Sequence, residues 1–179
     1  MAIEIEKKFI LSDDRRRHVL GNLKEFDAKY IGEDFEENVL YQGGILSEKG
    51  AVLRIRKIEG KTILTYKQRV QNDSDVKHQI EYETIVENAE ETEKIIESLG
   101  FEKALIYEKR RQTWLFRETE IVLDELPFGQ YMEIEGSMIA IAEVEILLDI
   151  ENLEVENETY PHLTRRFGVQ KEKLIEARF

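Results

Sequence analysis

The chain has 179 residues, 36% of them charged, and a formal net charge of −12. This length fits one domain or two small ones, and an acidic surface repels a phosphate backbone, which excludes nucleic acid as a general partner. Cysteine is absent, so disulfides and thiolate metal sites are excluded. No apolar stretch reaches the ~18 residues of a membrane span, and no signal-peptide pattern opens the chain. We expect a cytoplasmic protein with no membrane partner.

Hydrophobic periodicity and capping residues predict an α+β chain dominated by antiparallel strands. A helix is predicted from the cap Ser12 to about Phe26, with strand pieces within 28–43. The later strands are predicted at 51–58, 61–70, 78–86, 101–116, 120–126 and 130–136. The later helices are predicted at 89–99, 139–150 and 160–167. No linker or repeat interrupts the pattern, so we predict a single domain over 1–179. The basic residues near the C-terminus predict a solvated tail or a segment that folds back.

The first strand carries charge on one face and apolar side chains on the other. Glu4, Glu6 and Lys8 alternate with apolar residues such as Ile5 and Phe9, the period-two pattern of a strand. The same alternation recurs along the chain. The bases on the charged parity are Lys8, Arg54, Arg56, Lys67, Lys109 and Arg111, and the acids are Glu4, Glu6, Glu81, Glu83, Asp124, Glu133 and Glu135. One wet face is ordinary for an antiparallel sheet, but here bases and acids segregate by strand.

Closing such a sheet on itself would turn the charged face into an interior. Buried charges are tolerated when they are paired or occupied by a ligand. Lysine and arginine bind phosphate oxygens, whereas carboxylates bind hard divalent cations. A lumen lined by both signs therefore predicts a polyphosphate bound together with divalent cations, which is a setting for phosphoryl transfer.

The N-terminal ExExK motif and the ordered charged pairs resemble the CYTH family, the triphosphate tunnel metalloenzymes. The motif is Glu4-Ile5-Glu6-Lys7-Lys8, and the resemblance covers about residues 3–136. It implies a closed eight-stranded antiparallel β-barrel with helices packed outside, a small-molecule triphosphate substrate and Mg²⁺ or Mn²⁺ as cofactor. A homodimer is also among the states that the resemblance implies.

Residue roles follow from the same resemblance. The implied metal ligands are Glu4, Glu6, Asp124, Glu133 and Glu135. The implied phosphate-binding bases are Lys8, Arg54, Arg56, Lys67, Lys109 and Arg111. Glu81 and Glu83 would complete the substrate site by positioning bases or by helping to place a metal or water. The predicted catalytic set is Glu4, Glu6, Lys8, Arg56 and Lys67.

Three activities stay open at this point. A hydrolase would attack the terminal phosphorus with water, and a class IV adenylyl cyclase would make cyclic AMP and pyrophosphate from ATP. Residues 124–136 and 107–111 resemble the cyclase-type subgroup, but a cyclase also needs a nucleoside pocket. Tunnel charge alone suffices for hydrolysis, which we therefore favour. A non-catalytic polyphosphate- or nucleotide-binding module is the third interpretation, although its expected mark, loss of the metal carboxylates, is absent from this sequence.

Overall fold

The computed structural model describes residues 5–70 and 78–179. Glu4 lies outside the described residues. The strands are β1 (Glu6–Leu11), β2 (Lys29–Gln42), β3 (Ala51–Ile58), β4 (Lys61–Val70), β5 (His78–Val86), β6 (Glu102–Phe116), β7 (Thr119–Leu126), β8 (Gly129–Glu135), β9 (Val169–Lys171) and β10 (Leu174–Ala177). The helices are α1 (Asp13–Glu25), α2 (Gly44–Lys49), α3 (Ala89–Ser98), α4 (Met138–Leu147) and α5 (Tyr160–Phe167). No helix in these ranges is both long and apolar enough to cross a membrane.

Local capping explains where the helices begin. The Ser12 hydroxyl accepts a hydrogen bond from the Arg15 amide at 3.3 Å, at the start of α1. Asn88 caps α3 in the same way, through the Glu91 amide at 3.0 Å, and Ser137 caps α4. These side chains satisfy amides that have no partner within the helix. The capped helix starts agree with the sequence prediction to within one residue.

The chain divides into two compact units, which are described separately. Unit 1 is Met1–Asp34 with Lys109–Thr159, and unit 2 is Phe35–Glu108 with Tyr160–Phe179. In unit 1, β1 pairs with β8, β8 with β7, and β7 with β6, all antiparallel. Helices α1 and α4 pack on one face of these strands, around buried residues such as Phe9, Leu123 and Val144. The charged side chains of the opposite parity lie on the other face of these strands.

Unit 2 repeats this arrangement with its own strands and helices. Antiparallel pairs join β2 to β3, β3 to β4, and β4 to β5. Buried Val39, Ile55 and Ile96 bring α3 against this sheet. On β5, Tyr82 of the apolar parity is 68% exposed, and Ile85, which shares the parity of Glu81 and Glu83, is 65% exposed. The predicted alternation on β5 therefore ends at Ile85, and none of the side chains described on this strand is fully buried.

The predicted closed eight-stranded barrel needs correction. The structure has ten strands in its described ranges, and the strand order begins at β1 and ends at β5, with no pairing between those two strands there. Two of the additional strands come from the predicted tail, because β10 pairs in parallel with β6 and β9 pairs with β10. Alternation identifies the face of a strand, but it does not encode whether two distant edge strands meet. The α+β class and the antiparallel meander are confirmed.

An ion-pair network on unit 2 gives a stability prediction. Glu93 lies 2.6 Å from both Lys57 and Lys103. Burial alone would raise the pKa of the Glu93 carboxyl, but its contacts with Lys103 and Lys57 outweigh that effect and hold the pKa below its usual range. The resulting stabilisation is present above the pKa of the unfolded chain and is lost as pH falls through the folded value. Glu93→Gln should lower the free energy of unfolding at neutral pH by about 1 kcal/mol and flatten its decline in acid.

Urea denaturation across this pH range measures both effects. Glu91→Gln on the same helix is the matched control, because Glu91 pairs only with exposed Lys94 at 2.7 Å and such pairs contribute little. Equal losses in the two variants at every pH would contradict the network.

Candidate functional site

Five charged side chains of unit 1 meet on the face opposite its helices. We call Lys8, Lys109, Arg111, Asp124 and Glu133 the unit 1 cluster. Strand register creates it, since Lys8 stands opposite Glu133 on β1 and β8, and Arg111 opposite Asp124 on β6 and β7. Asp124 is fully buried, and Lys8, Lys109 and Glu133 are at most 9% exposed. The charged parity of these strands is therefore mostly buried where the cluster lies.

Arg111 is the centre of the contacts in this cluster. Its Nε and Nη2 donate to the two carboxylate oxygens of Asp124 at 2.7 and 2.5 Å. Nη2 also donates to Glu133 Oε2 at 2.7 Å. Such forked, charge-assisted bonds are the strong ones. One guanidinium thus holds two carboxylates from neighbouring strands together.

The two lysines complete the cluster. Lys8 Nζ lies 3.2 Å from Glu133 Oε1 and donates to the Glu158 carbonyl at 3.1 Å. Lys109 Nζ lies 3.5 Å from Asp124 Oδ2. The bases are satisfied by the acids, as burial requires. A phosphate group could exchange with these carboxylates as the partner of the same bases.

Glu6 is next to the cluster on β1. Register places it opposite Glu135 on β8, and both side chains are exposed. The Glu6 side chain keeps some accessible surface, but the surrounding protein still buries it in part. This burial is the main cause that raises the pKa of the Glu6 carboxyl, and the charge of Glu133 is the second. The positive charges of Lys8 and Arg111 oppose this rise only in part. Glu6 and Glu135 add two carboxylates to the three bases and two acids of the cluster. A bound anion would add further negative charge, which a divalent cation would offset.

The residues fit a hard divalent cation by their chemistry. Asp124 and Glu133 offer carboxylate oxygens, which Mg²⁺ and Mn²⁺ prefer, and Glu6 adds a third carboxylate nearby. In the described ranges no three acidic or histidine side chains are grouped as a metal site. The carboxylate oxygens of Asp124 and Glu133 instead contact Arg111 and the two lysines. Metal binding would therefore require these carboxylates to exchange their basic partners for the metal. The metal roles of Glu6, Asp124, Glu133 and Glu135 stay predictions.

A second group of polar side chains lies on the charged parity of unit 2. Arg54, Thr65 and Glu83 stand in one register row across β3, β4 and β5. Arg54 Nη2 lies 3.4 Å from the Thr65 hydroxyl, which donates to Glu83 Oε2 at 3.2 Å. Lys67 lies 2.9 Å from Glu81, and both are about one-third exposed. Glu81 thus contacts a base and Glu83 a hydroxyl of this parity, and their roles at the site stay predictions.

Three buried polar residues of unit 2 are not among the site residues that the sequence predicts. Glu36 and Asn38 on β2 are 2% and 0% exposed, and Tyr107 on β6 is 3% exposed. Burial raises the pKa of the Tyr107 phenol, while Arg54 acts in the opposite direction. The signal was available, because Glu36 and Asn38 are spaced by two like the other charged pairs. It was hidden among Glu33, Asp34 and Glu37, which fill both parities of the same strand.

Comparison with known proteins identifies the family. The CYTH domain profile matches residues 2–165, so the chain belongs to the CYTH domain family. A protein of Methanocaldococcus jannaschii named "Putative adenylate cyclase" is 28% identical over 151 residues, covering 82% of this chain and 84% of that protein.

Solved structures share the fold. The PH1012 protein of Pyrococcus horikoshii superposes with a TM-score of 0.73 at 24% identity, over 89% of this chain and 98% of that one. A Hippeastrum protein, described as a "Putative adenylyl cyclase" with a dominant triphosphatase activity, superposes with a TM-score of 0.67 at 17% identity, over 95% and 98% of the two chains. At these identities the likeness establishes the fold alone.

Proposed function

We propose that this protein is a divalent-metal-dependent enzyme that binds a small-molecule triphosphate and hydrolyses one of its phosphoanhydride bonds. The unit 1 cluster carries the proposal, since it gathers three bases and two carboxylates on one face of the strands, all of them buried except the partly exposed Arg111. Burying that many charges is costly unless the site has a use for them. Membership of the CYTH domain family supports the same class of substrate. The net charge of −12 favours a small ligand over nucleic acid.

The bases and the acids of the cluster would bind different parts of the substrate complex. Lys8, Lys109 and Arg111 would bind phosphate oxygens, with Arg111 able to bind two at once. Asp124 and Glu133, assisted by Glu6, would hold the cation once Arg111 moves to the phosphate. When bound, Mg²⁺ or Mn²⁺ supplies a Lewis acid that stabilises charge on the phosphoryl oxygens. The bases and their partners thus orient the triphosphate and neutralise the charge that develops on it.

Adenylyl cyclisation is the second candidate. It is favoured by the printed name of the Methanocaldococcus jannaschii relative, at 28% identity. The same phosphate-binding residues would serve either reaction, and the two differ in which phosphorus is attacked and by which oxygen. We favour hydrolysis because it requires no nucleoside site.

Phosphorus-31 NMR separates the candidates directly. Purified protein with Mg²⁺ or Mn²⁺ is incubated separately with tripolyphosphate, thiamine triphosphate and ATP. We expect orthophosphate release, and the fastest substrate identifies the physiological class. Pyrophosphate together with cyclic AMP from ATP would establish the cyclase instead. Line broadening without product in all three samples would leave a binding module and contradict an enzyme.

A further inference from the structure

Arg56 of unit 2 is held by two buried residues that no part of the proposed function uses. Its Nε donates to Asn38 Oδ1 at 3.4 Å and lies 3.4 Å from Glu36 Oε2. The Asn38 amide nitrogen in turn donates to the same Glu36 oxygen at 3.3 Å. The three side chains therefore form a closed triangle.

The fold fixes this triangle in place. Asn38 stands opposite Arg56 in the register of β2 and β3, and Glu36 precedes Asn38 by two residues on the same face. The Glu36 and Asn38 side chains are almost wholly buried, whereas Arg56 keeps 21% of its side-chain surface exposed. A buried acid and a buried amide thus contact Nε of an arginine whose side chain is partly exposed to solvent.

The nitrogen of Arg56 that makes these contacts decides what Glu36 and Asn38 can do. Both contacts use Nε, so they constrain the guanidinium without using its paired terminal nitrogens. That pair is the part of arginine that binds two phosphate oxygens together. We propose that Glu36 and Asn38 are positioning residues that hold Arg56 by Nε and aim its terminal nitrogens at a phosphate group of the substrate. This inference rests on the proposed function and on the expectation from the family resemblance that Arg56 binds phosphate.

Simple electrostatics and positioning make opposite predictions for Glu36. If Glu36 were only a nearby negative charge, its removal would tighten anion binding. If it orients Arg56, its removal lets the guanidinium swing among rotamers and weakens binding. The direction of the change therefore distinguishes the two roles.

A double-mutant cycle tests the proposal, with tripolyphosphate binding measured by calorimetry in the absence of metal, so that turnover does not interfere. We expect Glu36→Gln to raise Kd about tenfold and Arg56→Ala about a hundredfold. In the Arg56→Ala background, Glu36→Gln should change nothing further, because its effect passes through Arg56. Glu37→Gln is the matched control, since Glu37 is the next residue of β2 but contacts Lys57 and Arg178 instead; its Kd should equal that of the wild type.

Any other outcome would contradict either the positioning role of Glu36 or the proposed function. A tighter or unchanged Kd in Glu36→Gln, or an equal loss with and without Arg56, would contradict positioning and leave the proposed function standing. Failure of the wild type to bind tripolyphosphate with or without Mg²⁺ would overturn the proposed function and this inference with it. Thermal melting of each variant separates loss of the fold from loss of binding.

Discussion

Replacing Asp124 with asparagine is expected to lower the rate of triphosphate turnover by about 10²- to 10³-fold. Asp124 is fully buried and accepts two hydrogen bonds from Arg111. Asparagine keeps the size of the side chain and one oxygen, but it removes the charge that a divalent cation requires. The expected loss therefore appears in kcat, measured by phosphate release at saturating Mg²⁺.

The same substitution should also cost stability, which must be measured separately. Without the Asp124 carboxylate, Lys109 and Arg111 lose a buried counter-charge, and breaking a buried pair destabilises by about 3 kcal/mol. Assays are therefore run well below the melting temperature. Glu125→Gln is the matched control, because Glu125 is adjacent on β7 but faces the other side and pairs with exposed Arg110 at 3.3 Å. If the folded Asp124→Asn variant turned over substrate at the wild-type rate, Asp124 would not belong to the site.

Replacing Arg111 with glutamine should have opposite effects on anion and cation binding. Arg111 holds both Asp124 and Glu133 in the structure, so it competes with a cation for their oxygens. Its removal should weaken tripolyphosphate binding about a hundredfold, because a forked phosphate contact is lost. In the absence of phosphate, Mn²⁺ should bind the same variant several-fold more tightly than it binds the wild type.

Calorimetric titration with tripolyphosphate and with Mn²⁺ measures the two affinities. In the wild type each ligand should strengthen the binding of the other, and linkage requires the two factors to be equal. Arg110→Gln is the control, since Arg110 neighbours Arg111 but pairs with Glu125. Weaker binding of both ligands to Arg111→Gln would show that Arg111 only maintains the structure of the site.

The period-two pattern predicted the strands and the face of each charged side chain. It succeeded on β1, β7 and β8, where Lys8, Asp124 and Glu133 lie on the parity opposite to that of buried Phe9, Leu123 and Met132. The pattern also identified Lys109 and Arg111 on β6, whose contacts with Asp124 follow from strand register. Which acid pairs with which base depends on that register, which a single strand does not encode.

The features that the sequence did not predict correctly have physical causes. Glu36 and Asn38 were overlooked because acids occupy both parities of β2, so burial rather than pattern separates Glu36 from Glu37. The C-terminal strands were not predicted, and the choice between a tail and a segment that folds back stayed open, because β9 spans only Val169–Lys171 and is exposed throughout. Barrel closure was inferred from family resemblance, and strand alternation holds no information on the partner of an edge strand.

The central claim is that the unit 1 cluster binds a triphosphate and a divalent cation together. Crystals grown with Mn²⁺ and tripolyphosphate, measured at the manganese absorption edge, test it most directly. We predict an anomalous peak coordinated by Asp124 or Glu133, with Arg111 moved from those carboxylates to a phosphate oxygen. Manganese and phosphate bound elsewhere, with Arg111 still on both carboxylates, would contradict the account.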